Sequence, residues 1–259
     1  MIYYFNIHDI KRKGMLKKLG KKARLLIMMI SILGLMGCGS LNKIQANQIE
    51  EKLSEMYGGE FEVLALGNRF GTLTNDTVTA RVKSKDLDML FDTKMNTKGE
   101  IVADNFLARH IGIQVSNVLT KNIKDQGIEA KSYLAVLGGK DVKTLKINTS
   151  VPDYIKNYSP EYFAGFLILK EGTNYSGIKM VEAFQQTYQD YLSTTFHANV
   201  YIIAEEDYER CIRDLDNETV VYSDLFEEYI VISKFKLSVT SEGISKNENE
   251  VNNLLQGGK

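Results

Sequence analysis

Cysteine is scarce in this chain: Cys38 and Cys211 are the only two among 259 residues. A disulfide framework is thereby excluded, and the folded part must be held by a hydrophobic core, which a chain of this length can bury. Histidine is equally thin. Only His110 and His197 lie beyond residue 37, with no H-x-x-x-H or C-x-x-C near either, so a zinc site of clustered ligands is not expected and no metal or cofactor is called for. No Pro/Ser-rich linker divides the chain. The longest apolar run, Leu25 to Leu35, would cover about 16 Å as a helix, roughly half a bilayer core, so it is too short for a stable spanning helix.

What is present argues for a folded protein. Apolar residues make up 44% and charged residues 25%, as in globular domains. The net charge of −1 hides an asymmetry: residues 1–37 hold eight Lys/Arg against Asp9, leaving 24 basic and 32 acidic residues from 38 onward, a net of −8. An acidic body argues against nucleic acid as a partner and is mildly repelled by anionic headgroups.

The basic residues sit in an N-terminal segment with three parts. Lys11 to Arg24 is the basic stretch, Leu25 to Leu35 the apolar run, and small residues follow at Gly37 and Gly39. That order is the layout of an export signal, with positive charge retaining one end in the cytoplasm. Met15-Leu-Lys-Lys begins a leader of ordinary length, so Met15 is a candidate start.

The junction Leu35-Met36-Gly37-Cys38 resembles the lipobox of bacterial lipoproteins. The resemblance implies that the Cys38 thiol receives diacylglycerol and that a dedicated peptidase, recognising Leu35, Met36 and Gly37, cleaves just before it. Met36 departs from the commoner small residue there. Two acyl chains anchor stably where one does not, so the partner implied is the lipid bilayer through a diacylglyceryl anchor, on the extracytoplasmic face of the cell membrane. The remainder is similar in composition, rich in Lys, Asn and Ile, to lipoproteins of low-GC Gram-positive bacteria, and the likeness names no functional residue.

The exported part reads as α+β: antiparallel sheets with helices packed on one face, in two small subdomains. The expected division is a signal peptide over 1–37, a lipidated tether over 38–44, subdomains over 45–140 and 141–240, and a disordered tail over 241–259. Helices are expected over Gln45 to Tyr57, Asn105 to Lys124 with Asp104 as N-cap, Ile178 to Leu192 and Glu206 to Arg213. Strands are expected around Phe61 to Ala65, Val78 to Val82, Met89 to Met95, Ile101 to Ala103, Ile128 to Val136, Val142 to Ile147, Phe163 to Lys170, Ala198 to Ala204 and Tyr229 to Val239, with a hairpin turn at Asn96 to Gly99. An amphipathic helix followed closely by a strand recurs at 45–66, 105–137 and 179–204.

Chemistry-bearing motifs fail one by one, so no catalytic residue is named. Asp214, Asp216 and Glu218 alternate, but an EF-hand register puts Thr219 and Leu225 where Gly and Glu are needed. Gly138-Gly139-Lys140 lacks phosphate-loop spacing, and no G-x-S-x-G elbow exists. Ser233-Lys-Phe-Lys236 spells S-x-x-K within an expected strand, where the two side chains do not share a face. Tyr154, Tyr158 and Tyr162 would align on a helix that Pro160 interrupts; they are either core residues or a binding surface offering area with a polar handle. Cys211 reads as a small buried residue. The expectation is a non-catalytic module binding a protein, peptide or envelope component. The alternatives are a cell-surface enzyme using a carboxylate site, or a lipoprotein that sequesters an antimicrobial peptide.

Overall fold

The computed structural model describes residues 43–67, 76–137, 146–172, 175–191 and 193–257. The leader, Leu35 to Cys38 and Gly138 to Lys140 lie outside them. Helix α1 spans 43–57 and turns at Gly58 and Gly59, both at positive φ, into β1 (Phe61–Gly67). There follow β2 (Thr77–Ser84), β3 (Met89–Asn96), β4 (Ile101–Asp104), α2 (Phe106–Asp125) and β5 (Ala130–Leu137). Then come α3 (Val151–Tyr158), β6 (Tyr162–Lys170), α4 (Gly177–Asp190), β7 (Phe196–Ile203) and α5 (Glu205–Asp216). A 3-10 turn (Ser223–Glu228), β8 (Val231–Thr240), β9 (Gly243–Ile244) and α6 (Glu248–Leu255) complete the chain. The fold is α+β, and the three helix–strand successions read from the sequence are α1–β1, α2–β5 and α4–β7.

Among the described residues two sheets organise it, a four-stranded one ordered β1-β2-β3-β4 and a five-stranded one ordered β5-β6-β7-β8-β9. In the first, Val78, Ala80 and Val82 of β2 and Met89, Phe91 and Met95 of β3 point to one face. There they meet Ile49, Leu53 and Tyr57 of α1 and Phe106 of α2. The period-two alternation of those strands leaves Thr79, Arg81, Asp92 and Lys94 on the outer face. The Asn96 to Gly99 turn forms as expected, with the Asn96 carboxamide oxygen accepting from the backbone of Lys98 and Glu100.

The second sheet differs from the expectation in pairing and in cover. Strand β6 is antiparallel to β5 but parallel to β7, because α4 carries the chain back between them. One face packs on α2, α3, α4 and α6 through residues such as Leu134, Phe163, Phe184, Phe196 and Leu237. The other is covered over part of its length by α5 and the 3-10 turn through Ile168, Ile203, Tyr208, Cys211 and Phe226. Cover on both sides explains why Phe163 to Leu169 reads as an unbroken apolar run, with Leu167 and Leu169 facing one core and Ile168 the other.

Three boundaries are corrected. The two sheets change over at α2 rather than near residue 140, since β5 joins the second sheet, and residues 46–259 make one compact unit. Residues 241–259 are not a loose tail, because α6 occupies 248–255. Its Asn247 and Glu250 close a capping box worth about 1 kcal/mol, and Val251 and Leu255 are buried. That helix lies so close to α4 that a Cβ at Gly177 would collide with the Glu248 carbonyl. At the start of α2 the N-cap is Asn105, whose side chain accepts from Asp92 N, while Asp104 accepts from Phe106 N at 3.0 Å. Of the expected strand Val142 to Ile147, only 146 and 147 are described, and they belong to a turn.

Candidate functional site

The outer face of the first sheet forms a groove of about 620 Å³. Its residues come from adjacent ladder positions. Ala65, Arg81 and Asp92 stand side by side, and Gly67, Thr79, Lys94 and Ala103 form the next row but one. Small side chains make the floor and charged ones the rim. The floor is tight at Gly67, where a Cβ would lie 3.0 Å from the Thr79 hydroxyl and would need that side chain to shift by a few tenths of an ångström. A bulge interrupts each edge strand, between Val63 and Ala65 and opposite Lys94/Met95, and bulges bend the strand that carries them. The bulged residues Leu64 and Val102 are 49% and 51% exposed.

A polar knot closes one side of this groove. Thr219 donates its hydroxyl to Asp92 at 2.6 Å and accepts from Arg81 at 3.5 Å, and Arg81 also lies 3.8 Å from Asp92 and 3.9 Å from Glu218. Arg109, on α2, donates to the carbonyls of Leu90 and Glu218. Burial pushes the Arg109 pKa down, while the nearby Asp216, Asp92 and Glu218 carboxylates oppose that shift. The knot thus fastens the segment after α5 to β2 and β3. Lys94 remains exposed on the rim.

The residues singled out in the sequence are dispersed. Tyr154 is 5% exposed and packs in the core against the Tyr158 ring at 5.3 Å; Tyr162 instead meets His197 at 5.2 Å on the second sheet. The helix ends at Tyr158 with Ser159 as its left-handed cap before Pro160, so the three rings do not align on one helix, and Tyr154 is used for packing. Asp214 accepts from Tyr229, Asp216 pairs with Tyr133 and Lys131, and Glu218 faces Arg81. Among the described residues no cluster of three or more His, Cys, Asp or Glu could hold a metal ion. Ser233 spends its hydroxyl on the Leu254 carbonyl, and Cys211 is fully buried with its thiol pushed up to about 12 by desolvation.

His110 sits on α2 with Nε2 accepting from the Gln114 carboxamide at 2.9 Å. Burial lowers its pKa below 6.5, against a smaller raising contribution from the Thr149 backbone. A depressed histidine leaves the folded state intact above 6.5 and costs stability as pH falls through its folded value. His197, lowered by burial and by Lys236, acts in the same sense. Asp104 has the opposite sign: burial raises its carboxyl above 3.8, so its contribution is present at low pH and lost as pH rises. We expect the thermal midpoint to drop between neutrality and about pH 5, and His110→Gln to flatten that drop. An unchanged slope in the variant would assign the drop to other groups.

Arg81, Asp92, Arg109 and Thr219 were missed by sequence reading. The alternation of β2 and β3 marks the first two as outward-facing, but their pairing depends on the register set by the turn at 85–88. The contacts of Arg109 and Thr219 join elements over a hundred residues apart, which no local pattern encodes.

These features define an α+β protein with a groove on an open sheet face. No family model matches the chain, and neither does any curated protein. Among solved structures it is similar to the crystal structure of a DUF5037 family protein from Ruminococcus gnavus, with 18% identity and a TM-score of 0.59. The likeness covers 82% of this chain and 99% of that one, and at this identity it speaks for a common fold alone.

Proposed function

We propose that the protein is a lipid-anchored lipoprotein of the extracytoplasmic face that binds a protein, peptide or envelope component without catalysis. The anchor half of this reading is supported by the ordered succession of basic stretch, short apolar run and Leu35-Met36-Gly37-Cys38. The binding half is carried by one observation, the groove on the first sheet with its floor of small side chains and its rim of Arg81, Asp92 and Lys94. A concave, mostly apolar surface with a few placed polar groups is the ordinary form of a recognition site.

Each half has its own test. Cells fed an alkyne fatty acid should label the wild-type chain and lose all label in Cys38→Ala; retained label would remove the anchor. For the groove, a photo-crosslinking residue placed at Thr79 should give an ultraviolet-dependent adduct that Lys94→Glu weakens. The same residue at exposed Gln189, on α4, should give none. Equal adducts at both positions, or none at either, would count against the groove.

A further inference from the structure

We infer that the free edge of β8 is a docking site for an extended, acidic peptide segment of another protein, which adds to the second sheet as a further strand. The inference concerns the second sheet alone and does not depend on the groove of the first.

Backbone direction identifies the edge. Strand β9 pairs with β8 only at Val239 and Thr240. One step further Ser238 still turns its backbone that way. Its carbonyl accepts from Ser245 N at 2.9 Å, and its N–H donates to the Ser245 hydroxyl at 3.0 Å. In an antiparallel ladder successive residues turn their N–H and C=O groups to opposite sides. Lys236 and Lys234 therefore direct theirs as Ser238 does, away from β7, while Leu237 and Phe235 serve the ladder with Ala198 and Val200. Among the described residues no strand lies beside 231–237 on that side, and no group bonds to the backbone of Lys234 or Lys236 there. Cover comes from the two faces instead. Helix α6 sits on one, where the Leu254 carbonyl accepts from the Ser233 hydroxyl at 3.0 Å. On the other, Phe226 stacks at 4.1 Å on Tyr201, the ladder partner of Lys234. Both lysine side chains stay exposed, as do Ile230 at 51% and Ile232, the extra residue of the bulge, at 45%.

An open edge can accept many strands, and side chains select among them. Residues 229–241 hold Lys234 and Lys236 and no acidic residue, and β7 beside them has no ionisable group besides His197 and Tyr201. Acidic groups stand at the ends: Glu227 and Glu228 before the strand, Glu242 in the turn after it, and Glu248 and Glu250 at the start of α6, where Glu250 is held in its capping box. The middle of the edge is thus basic on a body of net −8. A second copy is the wrong occupant. Two β8 strands laid antiparallel about Phe235 would set Lys234 opposite Lys236, and like charges directly opposite one another destabilise a ladder. Asp or Glu at alternate positions of a foreign strand turns that repulsion into attraction, so the lysines that keep copies apart also choose the partner.

The test uses the full chain, produced in a bacterium and purified in detergent, with a fluorescein-labelled (Thr-Glu)4 peptide as probe. In hydrogen exchange of the chain alone, the Lys234 and Lys236 amides should exchange fast and those of Phe235 and Leu237 slowly. Peptide should slow the first two. By anisotropy, Lys234→Glu combined with Lys236→Glu should weaken binding about tenfold or more, whereas Lys98→Glu, an exposed charge reversal on the first sheet, should leave it unchanged. The same peptide methylated at every amide nitrogen keeps its charge and should not bind. The inference is overturned by absence of binding, by protection within 77–96 in place of 234 and 236, or by equal binding of the methylated peptide. A dimer in analytical ultracentrifugation with both lysine amides already protected would overturn it in favour of a second copy.

Discussion

Phe106→Ala should cost about 3–5 kcal/mol of folding stability, read as a lower urea midpoint by circular dichroism. The ring is fully buried and is the meeting point of the first core. It lies 4.5 Å from Tyr57, 5.4 Å from Phe61, 5.0 Å from Phe91 and 6.2 Å from His110, mostly in edge or tilted contact. Truncation removes those contacts together and leaves a cavity that α1, β1, β3 and α2 cannot close by moving independently. Beside it the Tyr57 hydroxyl donates to the Asp104 carboxylate at 2.9 Å, a pair whose geometry depends on the same packing. Phe106→Leu, closer in volume, should recover much of the loss. A cost below about 1 kcal/mol for Phe106→Ala would mean that the first sheet is organised around some other group.

Gly165→Ala should be as damaging for the opposite reason, costing about 3 kcal/mol or more through overpacking. Gly165 pairs with Leu134 in the ladder between β6 and β5. A Cβ there would run into the Tyr133 carbonyl and come within 3.0 Å of Leu134 Cα, both backbone positions that no rotamer change can relieve. Gly112 approaches the same strand from α2, where a Cβ would strike the Leu134 carbonyl. Strand β5 is thus pinched between a helix and its neighbour strand. Gly112→Ala should share the defect, and because both substitutions press on one segment, the double variant should lose less than the two costs added. Near-wild-type stability in Gly165→Ala would show that β5 can slide away from β6.

Much of this architecture was legible from periodicity. Leu107, Ile111, Val115 and Leu119 recur at helical spacing because one face of α2 packs on both cores. Val78, Ala80 and Val82 alternate because only one face of the first sheet is buried. The unbroken run in β6 gave the strand but not its parallel partner, since local sequence says nothing of which neighbour α4 will deliver. Helix α6 escaped notice for a compositional reason. Only Val251, Leu254 and Leu255 are apolar in a polar segment, and the Asn247…Glu250 capping box was the signal that could have found it.

The groove lay beyond sequence reading altogether. Ala65, Gly67, Thr79 and Ala103 carry no local signal one by one, and they become a floor only when three ladders bring them together and two bulges bend the edges. The sequence alone determined the lack of a disulfide scaffold, the α+β content and the helix–strand rhythm, and it alone carries the Leu35–Cys38 junction on which the proposed anchor rests, because each depends on residues near one another in the chain. Tertiary structure alone decided which strands pair in parallel, where the sheets divide, that Arg109 and Thr219 tie distant segments together, and which surface is left concave. Those depend on contacts between residues remote in sequence, and loop closure is governed by the free energy of the whole fold rather than by any local preference.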